Sequence, residues 1–329
     1  MKERASNIEL LRIIAMTFIV IWHISIHAQK GEAATHDFIT ATTTTGVNLF
    51  LLITGYFGLK LRWKSYLNII AMVIFYSLLS IVINYYVFGC QPSIKDVFKA
   101  VNPFGITAYW FVDYYIILLL LSPILNIIKD RATNKEYIYL IGILVYLSCI
   151  IGLLFGRTIN KNGYCIMQFI TIYYIGDAIK RFKLTNRISN KYLIAIYIVS
   201  TFILYIGGIF NIPGRAAYNN PILMAAAISL FCIVAKMQFA SKHINSYAKC
   251  MFPVYLIHEG LFGKNIYYLL YEIGAKQNYC SHEYALSLLF YIVVLFVGAA
   301  IIENIRRAIM DKPIEMLCDF LNKRINIFP

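Results

Sequence analysis

Charge is scarce in this sequence: only 14% of its 329 residues are Asp, Glu, Lys or Arg, against about 25% in an ordinary soluble domain. With 60% apolar and aromatic residues and a mean hydropathy of +0.67, that scarcity excludes a disordered chain and an ordinary soluble enzyme. No Gly/Ser-rich or Pro-rich linker interrupts the chain, so no second domain is expected and residues 1–329 read as one polytopic membrane domain. The seven cysteines contain no close pair of the kind that builds a zinc site, which excludes a metal ribbon. Acidic residues are also few, 16 against 30 basic ones, for a formal charge of +14. In a soluble protein such an excess suggests nucleic acid; in a membrane protein it belongs to cytoplasmic loops.

What the sequence does have is long apolar runs. About 20 apolar residues cross the hydrocarbon layer as a helix, and the pattern predicts an all-α integral membrane protein of about ten transmembrane helices. The predicted spans are 8–28, 41–60, 66–89, 106–128, 137–156, 164–179, 192–210, 217–235, 249–271 and 284–305. With the N-terminus inside, the inner segments collect 21 of the 30 Lys and Arg and the outer segments 8. That asymmetry predicts both termini cytoplasmic, turns the basic excess into a topology signal and leaves nucleic acid without support. The first span, followed by nine more, reads as a retained helix rather than a cleaved leader. Cys90 and Cys280 fall in predicted outer loops, where a disulfide is chemically permitted.

An ionisable side chain in hydrocarbon costs at least about 2.5–3.5 kcal/mol unless it faces protein or water. The run ELLRIIAMTFIVIWH carries two such groups, Arg12 and His23. Eleven positions apart, they return to within about 20° on one helix face, roughly 16 Å apart along the axis. Glu9, three residues before Arg12, is placed to pair with it. Snorkelling of Arg12 to the inner headgroups and a structural hydrogen bond for His23 are the simpler readings. His27, four residues past His23, has a metal-compatible spacing, but no third ligand is evident and no metal is expected. Asn48 in TTGVNLFLLITGYFG, Asp113 in YWFVDYY, and His258 and Glu259 in FPVYLIHEG are further polar groups within predicted spans. Each alone could be an interhelical hydrogen bond; together they suggest a buried polar site. Pro253 is placed to kink its helix, and Tyr109 and Trp110 read as interfacial belt residues.

At these residues the sequence resembles the membrane acyltransferases called acyltransferase family 3, which include O-acetyltransferases of bacterial surface polysaccharides. The likeness rests on Arg12 and His23 after an N-I-E-L-L-R run, Gly46-Val47-Asn48 through Thr54-Gly55-Tyr56, Trp110-Phe111 through Ser122-Pro123, and Tyr255 to His258, in that order. Asn48 stands where some members carry Asp and Thr54 where Ser is usual, and KLRWK departs from an Arg-x-x-Arg arrangement.

The resemblance implies transfer of an acetyl group from cytoplasmic acetyl-coenzyme A to a hydroxyl of a cell-surface polysaccharide or lipid-linked glycan, in the cell membrane and with no tightly bound cofactor. His23 is then the expected general base or transient acetyl carrier, with Arg12 beside it as the second catalytic residue and a donor contact. Lys60, Arg62 and Lys64 would attract the donor's phosphates. Asn48 would polarise the thioester carbonyl. Tyr56, Trp110, Asp113, His258 and Glu259 are expected around the acceptor. A transporter or flippase of a lipid-linked glycan is the main rival, and a structural partner in glycan assembly a second.

Overall fold

The structure, a computed structural model, describes residues 5–31, 35–102, 109–155 and 161–324. Lys2, Arg4 and Arg157 of the basic count lie outside the described residues. Among the described residues there are helices and no strands, as hydrocarbon demands of a chain whose backbone polar groups must pair within the same segment.

Helix α1 (Ser6–His23) continues through a π-helical turn, Ile24–Ala28. Helices α2 (His36–Thr43) and α3 (Gly46–Phe57) follow, then α4 (Trp63–Phe88), α5 (Ile94–Val101), α6 (Trp110–Arg131) and α7 (Asn134–Val145). After a second π-helical stretch, Tyr146–Leu154, come α8 (Ile166–Arg181), the single turn α9 (Leu184–Arg187), α10 (Asn190–Ile209) and α11 (Pro221–Ala235). The last helices are α12 (Lys242–Tyr247), α13 (Met251–Glu259), α14 (Leu261–Gln277) and α15 (His282–Arg324).

Seven helical segments among the described residues are long and apolar enough to cross a membrane: Ser6–Ala28, His36–Phe57, Trp63–Phe88, Trp110–Arg131, Asn134–Leu153, Asn190–Ile209 and His282–Arg324. The other three predicted spans take shorter or broken forms. The segment 164–179 becomes the 16-residue α8, and 217–235 shortens to the 15-residue α11, which starts at Pro221 behind an Asn220 N-cap. The segment 249–271 is interrupted at Gly260, between α13 and α14. Pro253 sits in the first turn of α13, where a missing N–H is tolerated, directly after a 3-10 turn at Ala248–Cys250. The last helix runs well past the predicted 305.

The chain forms two compact units, each discontinuous in sequence. The first comprises Met1–Ser25, Ala33–Leu59 and Leu121–Ala248. Its packing relies on backbones that approach through glycine. A Cβ at Gly55 of α3 would lie 2.0 Å from the Tyr173 carbonyl oxygen of α8, and one at Gly176 of α8 would lie 2.4 Å from that of Leu52. A Cβ at Gly46 would meet the Ala15 carbonyl of α1 at 2.7 Å. Small residues permit such contact where apolar lipid gives no hydrophobic drive for helices to associate. At the basic end of α8, Arg181 donates to the carbonyls of Lys129 and Ala132 and to Asn134. It thereby satisfies the exposed carbonyls and negative dipole end of α6.

The second unit comprises Ile26–Glu32, Lys60–Leu120 and Lys249–Pro329. Its buried anchor is Glu303 of α15, which accepts from Arg306 (2.8 and 2.9 Å), Arg307 (2.6 Å) and the Tyr76 hydroxyl (3.0 Å) of α4. Three donors around one buried carboxylate offset its desolvation. Cys90 and Cys280 are both free and exposed, so the disulfide that their predicted loops would permit is not formed.

Candidate active site

The predicted site residues divide between the two units. In the first, α1 stays α-helical from Ser6 to His23, so Arg12 and His23 return to one face of the helix as their spacing requires. Met16 and Ile19 lie between them on that face, and both are buried. The Arg12 side chain is 35% exposed, with its Nε 3.8 Å from Glu9, whereas His23 is 7% exposed. The π-helical turn begins at the next residue, Ile24. Such a turn inserts extra backbone and re-aims the side chains beyond it: the His27 ring stacks on Tyr267, 5.5 Å between centroids.

Asn48 belongs to a buried polar network in the first unit. Its Nδ2 donates to the Tyr218 carbonyl at 2.9 Å, and the Gln168 Nε2 donates to the same carbonyl at 2.7 Å and faces Asn48 Oδ1 at 3.4 Å. Ser148 Oγ donates to Gln168 Oε1 at 2.6 Å, and Asn219 Nδ2 to the Ser148 carbonyl at 2.8 Å. The network therefore ties α3, α8 and the second π-helical stretch to the segment ahead of α11. That segment brings the Tyr218 ring to 6.2 Å from Trp22, the residue before His23. Asn48 holds a wall of the His23 environment through its neighbours. Tyr56, two turns further along α3, stands at the other end of the helix, 5.2 Å from the Phe231 ring and 6.0 Å from Lys180 Nζ.

In the second unit, His258 is fully buried and its Nδ1 lies 2.7 Å from the Val254 carbonyl oxygen. A carbonyl can only accept, so Nδ1 carries a proton. Around it is a cluster of aromatic rings packed edge-on or tilted. The Tyr255 ring is 5.7 Å from His258 and 5.9 Å from both Tyr109 and Phe111. Tyr109 is not an interfacial belt residue: it is buried, and its hydroxyl donates to the Leu256 carbonyl at 3.0 Å. Trp110 and Asp113, in the first turn of α6, are half-buried. Glu259 ends α13 just before Gly260, and a Cβ at Gly263 would lie 1.9 Å from the His258 carbonyl oxygen. Only glycine lets α14 start so close to the residue that carries the imidazole.

Of the predicted donor contacts, Lys60 and Arg62 are exposed, while Lys64 pairs with Glu315 at 2.6 Å. Lys64 also lines a cavity of about 250 Å³ with Lys249, Arg306 and Arg307, beside Glu303 and Asp311. The Arg306 Nη1 is buried there without a hydrogen-bond partner. The Arg306–Arg307 pair on α15 is legible in the sequence as two adjacent guanidiniums at the end of an apolar run; that Tyr76 of α4 joins them at Glu303 is not.

A family model described as "Acyltransferase domain" matches residues 6–303. No curated protein and no solved structure matches the chain. The family match takes in both helical units up to Glu303, including Arg12, His23, Asn48 and the His258–Glu259 pair. A helical, membrane-embedded chain matched over that length by this model belongs to acyltransferase family 3, the membrane acyltransferases.

Proposed function

We propose that the protein is an O-acetyltransferase of the cell membrane, moving an acetyl group from cytoplasmic acetyl-coenzyme A to a hydroxyl of a cell-surface polysaccharide or lipid-linked glycan. The observation that carries this reading is a buried imidazole, His23, on the same face of the first helix as Arg12, within a chain of the acyltransferase family. In this reading both termini are cytoplasmic, and the chain crosses the membrane about ten times if α8, α11 and the broken α13–α14 pair count as spans.

His23 takes the acceptor's hydroxyl proton as its oxygen attacks the thioester carbonyl carbon. The new C–O bond forms, the C–S bond breaks, and coenzyme A leaves as a thiolate that takes up the proton from the imidazolium. Arg12 holds the donor arm, and Lys60, Arg62 and the cations around the Arg306 cavity receive its phosphates from the cytoplasmic side. Asn48 acts by fixing the Tyr218 segment. Trp110, Asp113, His258 and Glu259 serve the acceptor, and Tyr56, next to Lys180, serves the donor end of α3.

The test compares O-acetyl signals on surface glycan, by proton NMR, in cells making the wild type and His23→Ala at equal membrane abundance. Loss of the signals in the variant is expected; undiminished acetylation removes His23 from the chemistry. The transporter reading draws on one observation, the helix break at Gly260, since transporters bind substrate at discontinuous helices. Purified protein that consumes acetyl-coenzyme A in the presence of acceptor decides against it.

A further inference from the structure

Two cavities of opposite character adjoin the Gly260 break in the second unit. One, of about 210 Å³, lies between α4, α14 and α15 and is walled by hydrocarbon, including Leu79, Ile83, Phe262, Ile266 and Val294. A Cβ at its Gly298 would meet no atom within 4 Å. The other, of about 130 Å³, is polar: Ser77, Asp96, Lys99, Tyr109 and Lys264 line it, with the Gly260 backbone. Ser80 belongs to both walls. Its hydroxyl accepts from the Phe262 N–H at 2.9 Å, and a Cβ at Gly260 would lie 2.7 Å from that oxygen. The break in the helix therefore stands where an apolar cavity gives way to a polar one.

Helix α5, which supplies Asp96 and Lys99, says at what depth this change happens. Its apolar residues Ile94, Val97, Phe98 and Val101 are exposed, while Lys95 and Lys99 lie among them in sequence. A short amphipathic helix with uncovered apolar side chains and lysines rests in the headgroup layer. Asp96 is held below the ordinary carboxylate range by hydrogen bonds from the Ser93 hydroxyl and backbone N–H, so the polar cavity presents both signs of charge. At its inner wall Tyr109 leads to Tyr255 and so to His258.

Hydrocarbon on one side of Ser80 and charged hydrogen-bonding groups at headgroup depth on the other match a single amphiphile, with a tail and a hydroxyl-rich head. Resting on the acetyl-transfer reading, we infer that the acceptor is a lipid-linked glycan, its tail lying along α4, α14 and α15 and its sugar held by Lys99, Lys264 and Asp96. A finished polymer would have no use for the apolar cavity. A bilayer phospholipid could fill that cavity, and the test makes this the competing outcome.

Membranes from cells that make the glycan are incubated with radiolabelled acetyl-coenzyme A. Label is followed into organic-extractable, lipid-linked glycan and into polymer for the wild type, Gly298→Phe, Lys264→Ala, His23→Ala and a lipid-facing control, Ile198→Phe, at matched abundance. Label is expected first in the lipid-linked fraction. Gly298→Phe, which fills the tail cavity, and Lys264→Ala should each lower it about tenfold, whereas Ile198→Phe should not. Label that enters only polymer, or wild-type labelling by Gly298→Phe, overturns the lipid-linked acceptor while leaving acetyl transfer standing. No label above the His23→Ala background in either fraction overturns acetyl transfer itself, and this inference with it.

Discussion

The side-chain amide of Asn48 donates to the backbone carbonyl of Tyr218 at 2.9 Å, with both residues buried. A residue in the first turn of an apolar helix thereby fixes a connecting segment whose aromatic ring stands against Trp22. Replacing the amide by a carboxylate sets an acceptor against an acceptor. Asn48→Asp is expected to destabilise the protein by about 1–3 kcal/mol, because the Tyr218 carbonyl keeps only the Gln168 amide as donor and a buried carboxylate oxygen now faces it. A drop in the thermal midpoint of the detergent-solubilised protein checks this; an unchanged midpoint would mean that Gln168 alone holds the Tyr218 carbonyl.

The α3–α8 contact should be intolerant of a single methyl group. At Gly55 or Gly176 the added carbon would meet a backbone oxygen, which cannot turn aside as a side chain can. Each Gly→Ala change is expected to cost about 1–3 kcal/mol or more, read as reduced membrane abundance and thermal stability. Gly142→Ala, where the added carbon meets nothing within 4 Å, is the matched control and should be neutral.

Gly263→Ala addresses position as well as stability. The methyl group would push against the His258 carbonyl and shift the residue that bears the imidazole. Acetylation should fall about a hundredfold, since a displacement of about 1 Å in a catalytic group has effects of that order. Restored activity in a second-site variant that moves α14 would confirm that the loss is positional, whereas an active Gly263→Ala protein would take His258 out of the acceptor site.

Glu303 should be the most sensitive acidic residue in the second unit. Glu303→Gln leaves the guanidiniums of Arg306 and Arg307 facing a neutral amide in a buried setting, and losing one member of a buried ion cluster costs about 3–5 kcal/mol. Chemical denaturation of this variant should show a markedly lower midpoint. The exposed Lys64–Glu315 pair should behave in the opposite way, because ion pairs in water contribute about 0–1 kcal/mol. Glu315→Gln should leave stability unchanged and, by releasing Lys64, lower the KM for acetyl-coenzyme A a few-fold; an unchanged KM would show that Lys64 does not meet the donor.

Membrane character, helical class and family were legible because each depends on local information. Hydropathy along about 20 residues decides whether a segment enters hydrocarbon, and Arg12 and His23 share a face because the rise and turn of an α-helix are fixed. Span lengths were less legible. Whether 249–271 continues as one helix depends on the Phe262 N–H meeting Ser80 of α4 beside Gly260, and contacts between residues far apart in the chain leave no trace in a hydropathy window.

The same distinction runs through the candidate site. From its residues alone the chain determined that ionisable groups lie within apolar runs, where burial without a partner would be costly, so that they had to face protein or water. Only the tertiary structure decided which groups they meet. It gave Asn48 to the Tyr218 carbonyl, Lys64 to Glu315, and Tyr109 to the interior beside Tyr255. Hydrogen bonds and ring contacts act over a few ångströms in space, and the spacing of residues along a chain does not encode that distance once helices pack against one another.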